Sequence, residues 1–317
     1  MKKTGKISLA CFTAIAGITS GMQAYISISA RKAVRNNLLK TEGGHFFHWA
    51  HGDVYYSVKG QGSPLLFLHD VDPSSSSTEW IFLRSQLTQN HRVYLVDLPG
   101  CGRSDKPAIQ YTPYLYVSFL RAFIDQVIGE DTAVIACCQS APFALLTASQ
   151  EKSGINHLYL INPPAPEPDA DTRQLPQKNC LQLRASLFFG DFAYRAVFTP
   201  KYIHEQFRRS YLKDARHVSK KLEEIWYESA HRKNGHGRYL YASIKSHYMD
   251  LNTIRLLQSL TIPVNILCSS DHLNYLDIAR EYIYHKDDIT LSEIHDTALY
   301  PHLEKPQTVC KLLFEEK

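Results

Sequence analysis

The chain has no block of Lys and Arg with interleaved aromatics, no H-E-x-x-H, no paired C-x-x-C, no Gly-x-Gly-x-x-Gly and no phosphate-binding P-loop. Its 35 basic and 31 acidic residues leave a net charge of only +4, scattered along the chain, so nucleic-acid binding is not expected. Fifteen histidines are dispersed without ligand spacing, and neither a metal nor a nucleotide cofactor is expected. The seven cysteines are odd in number and show no disulfide framework. Cys101, Cys137, Cys138 and Cys268 fall at strand ends or in turns and read as small buried residues. Adjacent Cys137 and Cys138 should point to opposite faces of a strand and not bridge. Internal repeats are absent.

What is present is an ordinary globular composition, 44% hydrophobic and 21% charged over 317 residues. That length suits one large α/β domain with an insertion, or at most two domains. The N-terminus stands apart. Lys2, Lys3 and Lys6 precede an apolar stretch from Ile7 to Ala30, closed by Arg31-Lys32. A basic start before an apolar core is a signal-anchor or signal-peptide pattern. The stretch is about 24 residues, bilayer length, although Thr, Ser, Gly and Gln dilute it. Residues 1–30 are therefore expected to form a helix little packed on the core that anchors the chain to a membrane, with cleavage and secretion as the alternative. Residues 31–43 form a linker. Basic residues at both ends leave the orientation open, and nothing indicates an oligomeric state.

Beyond the linker, short apolar strands end repeatedly in special turns. Pro64–Leu68 ends in His69-Asp70, and Val93–Val96 ends in Asp97-Leu98-Pro99-Gly100-Cys101-Gly102-Arg103-Ser104. Ala133–Ala136 runs into Cys137-Cys138-Gln139-Ser140-Ala141-Pro142, Leu158–Ile161 ends in Asn162-Pro163-Pro164, and Val264–Cys268 follows later. His45–Trp49 and Asp53–Val58 look like an opening antiparallel pair. Strands alternating with helical pattern imply a parallel sheet whose loops gather at one edge. Between Pro164 and His247 the composition turns Pro- and Asp-rich, then basic and aromatic. There Phe188, Phe189, Phe192, Tyr194, Trp226 and Tyr227 are expected to pack among themselves, with lining of a substrate pocket as the alternative.

In this order the chain resembles the α/β-hydrolase family, from the His-containing turn through D-x-P-G-x-G-x-S to a nucleophile elbow. The resemblance covers roughly residues 44–315. It implies a mainly parallel eight-stranded sheet, with the α/β core at 44–164 and 249–317 and a helical cap at 165–248. It also implies a small-molecule acyl substrate or ligand and no cofactor. Three registers of the elbow put Cys138, Gln139 or Ser140 at its apex. Ser140 is chemically the most coherent nucleophile, because Ala141 would then supply an oxyanion amide and Pro142 would fall early in the helix. Val71 is expected to supply the second amide, although Asp70 stands where the family has Gly, and a carboxylate there repels an oxyanion unless it points away.

Asp271, in Ser269-Ser270-Asp271, matches the acid of the triad. In Thr297-Ala298-Leu299-Tyr300-Pro301-His302-Leu303-Glu304-Lys305-Pro306, however, Leu299 takes the place of the catalytic His. Leucine accepts no proton, so His302, one helical turn on, becomes the nearest substitute base, ahead of His272 and His295. Two readings follow: a hydrolase of esters, amides or related acyl compounds acting through Ser140, or a non-catalytic member that binds a ligand or partner.

Overall fold

A computed structural model of the chain describes residues 2–168, 187–214, 219–271 and 274–314, with side chains from residue 16 onward except Leu187 and Phe188. The strands are β1 His45–Trp49, β2 Gly52–Lys59, β3 Ser63–Leu68, β4 His91–Val96, β5 Thr132–Cys137, β6 Ile155–Ile161, β7 Val264–Ser269 and β8 Thr290–Ile294. They form one sheet in the order β1-β2-β4-β3-β5-β6-β7-β8. β1 and β2 pair antiparallel, as do β2 and β4, and every other pairing is parallel. The central strands are continuous apolar runs because both faces are covered by packed elements. Leu65 and Phe67 point to one face, Leu66 and Leu68 to the other, and each set belongs to a separate apolar core. Each buried side chain of this size contributes about 1.5–3 kcal/mol.

Helices α1 Lys2–Ala33, α2 Ile81–Leu87, α3 Pro113–Phe123 and α4 Ala141–Ala148 accompany the first six strands. Between β6 and β7 lie α5 Leu187–Val197, α6 Pro200–Gln206, α7 Lys220–His231, α8 Gly237–Lys245 and α9 Ile254–Ser259. The first four of these form a cap outside the sheet. Tyr194 and Trp226 are fully buried within it, whereas Phe189 is exposed and the Phe188 side chain lies outside the described residues. α10 Tyr275–His285, α11 Pro301–Glu304 and α12 Pro306–Phe314 complete the chain.

The N-terminal helix forms as expected, but its second half is packed on the cap. The Tyr25 hydroxyl donates to Arg195 O at 3.2 Å, and its ring meets Phe192 edge-on at 5.4 Å. Ser29 and Ala33 are buried on the same side. Beyond the helix, Leu38 N and Leu39 N donate to the buried Glu228 carboxylate at 2.6 and 3.3 Å, which ties the linker to α7. Among the described residues, no helix is long and apolar enough to cross a membrane.

Candidate functional site

The turn after β4 is a folding device. Asp97, fully buried, accepts from Arg103 N at 2.7 Å, Arg103 Nε at 2.6 Å and Ser77 N at 2.8 Å. Burial raises its carboxyl, but the Arg103 charge and hydrogen bonds outweigh that and hold it well below the usual carboxylate range. A Cβ at Gly102 would sit 2.2 Å from Asp97 Oδ2, so only glycine fits there. His69, at the end of β3, accepts from Leu98 N through Nε2 at 2.9 Å and donates from Nδ1 to Asp70 O at 2.7 Å. Both ring nitrogens are satisfied only in the neutral form, and burial lowers its pKa to about 4. His69 thus staples the ends of β3 and β4 together.

At the end of β5 the apex residue is Cys138. Its φ is +51°, the left-handed geometry that a strand-to-helix elbow imposes on the residue at its tip. Gln139 and Ser140 then complete a short 3₁₀ turn, and α4 starts at Ala141 with Pro142 in its first turn. This register differs from the one that favoured Ser140. The Ser140 hydroxyl lies two residues past the apex, fully buried, and donates inward, to Cys137 O at 2.7 Å with Leu68 O at 3.2 Å. It is a strut beneath the elbow, aimed away from the cap. The Cys137 and Cys138 sulfurs lie 3.3 Å apart, not on opposite faces, because strand alternation stops where Cys138 turns.

With Cys138 at the tip, the amide following it belongs to Gln139. The Ala141 amide is unavailable, since it donates to Cys138 O within the 3₁₀ turn. Gln139 N and Val71 N both donate to one acceptor, Asp70 Oδ1, at 3.0 and 2.8 Å. The other Asp70 oxygen accepts from the Tyr300 hydroxyl at 2.9 Å. Asp70 does not point away: its carboxylate occupies the position where an oxyanion would develop. Burial pushes its pKa up to about 6, against the lowering effect of the Gln139, Tyr300 and Val71 hydrogen bonds. A hole already holding a carboxylate oxygen repels a second negative oxygen.

The expected acid and base do not meet this site. Asp271 is exposed and accepts from Asp296 N at 2.7 Å, with His295 Nδ1 at 3.4 Å and Lys213 Nζ at 4.0 Å. It braces the loop after β8 without reaching Cys138 or Ser140. His272 lies outside the described residues. Leu299 lies in the loop after β8, and its carbonyl is 3.9 Å from Cys138 Sγ. Asn162 clamps that loop by donating to Ala298 O and Leu299 O at 3.1 and 3.0 Å while accepting from Ser269 N at 2.9 Å.

His302 is buried behind the elbow, stacked on Trp80 at 4.1 Å, with Nε2 3.6 Å from Glu79 Oε2. Burial lowers its pKa to about 3, and it makes no hydrogen bond to Ser140. Among the described residues, no imidazole is hydrogen-bonded to Cys138 or Ser140. Burial holds the Cys138 thiol well above its ordinary value, so the apex carries a thiol and not a thiolate. The sequence missed Tyr300 and Glu79, and it missed Gln139 as an amide donor. Only Asp70 carried a visible signal, as an acid where the fold calls for glycine.

An eight-stranded sheet of this order, with an elbow after β5 and a cap after β6, defines an α/β-hydrolase. The model of the Alpha/beta hydrolase family matches residues 65–312, and the chain belongs to that family. Among solved structures it is similar to an epoxide hydrolase, 19% identical with a TM-score of 0.70, covering 86% of this chain and 97% of that one. A haloalkane dehalogenase of Agrobacterium fabrum is 31% identical over 104 residues, which is 33% of this chain and 34% of that protein. An uncharacterized protein of Mycobacterium tuberculosis is 25% identical over 107 residues, 34% of this chain and 31% of that protein. The chain thus spans about a third of the length of the curated relatives it matches. Other structural neighbours of this fold include a meta-cleavage product hydrolase and a bromoperoxidase.

Proposed function

We propose that this α/β-hydrolase-fold protein binds a small ligand or partner without hydrolysing it. The observation that supports this most is the Asp70 carboxylate, held by both amides that would stabilise an oxyanion. Leu299 in place of the base points the same way. Loss of a general base removes about 10²–10⁴ in rate, and loss of one oxyanion donor about 10²–10³. The exposed Gln139, beside the apex, marks where an occupant would meet the core.

The strained backbone at Cys138 supports a second reading, slow acyl transfer through that thiol. Labelling with a fluorophosphonate and an iodoacetamide probe separates the two. Binding without chemistry leaves the wild-type chain unlabelled at residues 138 and 140, while combined Asp70→Gly, Cys138→Ser and Leu299→His substitutions create fluorophosphonate labelling at position 138. Site-specific labelling of wild-type Cys138 would favour the second reading, and labelling of Ser140 would restore the serine-hydrolase reading.

Membrane association through residues 1–30 belongs to the same proposal, supported by the basic residues that bracket the apolar stretch. Carbonate extraction of membranes from expressing cells tests it: recovery of the full-length chain in the soluble fraction would contradict it.

A further inference from the structure

Behind the elbow, three potential ligand side chains from distant parts of the chain converge. Glu79 comes from the turn before α2, Cys137 from the last position of β5 and His302 from α11. A carboxylate oxygen, the sulfur and a ring nitrogen all lie within 4.8 Å of one another, and all three residues are fully buried. Both carboxylate oxygens of Glu79 and both ring nitrogens of His302 lack a hydrogen-bond partner. Ser75 and the Asp70 backbone lie near enough to favour the Glu79 charge slightly, but neither makes a well-directed hydrogen bond to it.

A shared proton does not account for this arrangement. The closest Glu79–His302 approach, 3.6 Å, is longer than a hydrogen bond and leaves the other oxygen and nitrogen equally unsatisfied. Each buried polar group without a partner costs about 1–3 kcal/mol, more if charged, so four such atoms in one spot call for something between them. The His302 ring is also held in place, stacked on Trp80 at 4.1 Å and edge-on to Tyr300 at 5.6 Å.

We propose that Glu79, Cys137 and His302 hold a divalent zinc-class cation. The donor set of thiolate, imidazole and carboxylate suits Zn²⁺, and ligands on a tetrahedral zinc lie about 3.3–3.8 Å from one another, a range that includes the 3.6 Å between Glu79 Oε2 and His302 Nε2. The cation neutralises the Glu79 carboxylate and one thiolate, which explains how a carboxylate sits in an apolar core without a salt-bridge partner. It also welds three elements, the turn before α2, the elbow and α11, immediately beneath the site. No motif announces the centre because its ligands are separated by 58 and 165 positions in the numbering of the chain.

The test is metal content and ligand spectroscopy on the full chain. Protein purified without chelators should carry about one zinc per chain by plasma mass spectrometry. Refolding with Co²⁺ should give tetrahedral cobalt bands with sulfur-to-cobalt charge transfer. Those bands should vanish in Cys137→Ser and weaken at least tenfold in Glu79→Gln and His302→Ala, yet persist in Cys268→Ser, which alters a buried cysteine elsewhere. If a ligand variant fails to fold, the wild-type cobalt spectrum and its Cys268→Ser control still decide. A metal-free wild type that takes up no cobalt, or thiolate bands unaffected by Cys137→Ser, would overturn the proposal.

Discussion

Asp70 Oδ1 lies 3.0 Å from Gln139 N and on the same oxygen receives Val71 N at 2.8 Å. One side chain from the loop after β3 thereby takes the two amides that the fold offers to a reacting oxygen. The consequence is testable from both sides of the contact.

Tyr300→Phe removes the partner of Asp70 Oδ2. A hydrogen bond to a charged group contributes about 1.5–3 kcal/mol, so the variant should lose about that much stability above pH 6, where Asp70 is ionised. Below pH 5 the carboxyl is protonated and the loss should shrink. Urea midpoints at pH 7.5 and 5.0 measure the difference. An equal loss at both pH values would mean that the Tyr300 hydroxyl does not serve the carboxylate.

Ser140→Ala removes a buried strut. The expected cost is about 1 kcal/mol of stability, from the lost hydrogen bond to Cys137 O, with no change in any acyl turnover. Thermal unfolding beside an ester assay checks both halves. A variant equally stable but altered in turnover would return Ser140 to the reacting centre.

Stability should fall as pH drops from about 6.5 towards 4. Burial lowers His69 and His231 to about 4 each, so the unfolded chain binds their protons first and folding loses ground below the unfolded pKa. Each contributes on the order of 3 kcal/mol at full shift. Asp70, raised to about 6, works in the opposite direction as pH falls through that value, as do Asp72 and Glu79, raised by burial, while His302, lowered to about 3, adds to the fall, so the histidine part is read from a variant. His231→Gln should flatten the profile. A pH profile of the urea midpoint unchanged by His231→Gln would contradict the neutral, buried state of that ring.

The fold was legible because its signals are local. Apolar runs such as Leu65–Leu68, ended by Gly, Pro or His, name parallel strands, and the Asp97–Ser104 turn has too few conformations to be anything else. The elbow register was not legible. Choosing Ser140 rested on Ala141 as an oxyanion amide and on Pro142 falling early in the helix, whereas the apex is set by which residue takes φ of +51°, and nothing in Cys137-Cys138-Gln139-Ser140 marks that. Asp70 was visible as a misfit but not its direction, because its partners Gln139 and Tyr300 are 69 and 230 positions away. Asp271 kept its place in the turn after β7 while the histidine it would orient was replaced by Leu299, so its hydrogen bonds now go to the neighbouring loop.

The central claim is that the apex does no acyl chemistry while Asp70 fills the oxyanion position. Its most direct test is the rate of p-nitrophenyl ester hydrolysis by the purified full chain, measured beside Cys138→Ala and Ser140→Ala. The account predicts the same near-background rate for all three proteins. A wild-type rate at least tenfold above either variant would contradict it.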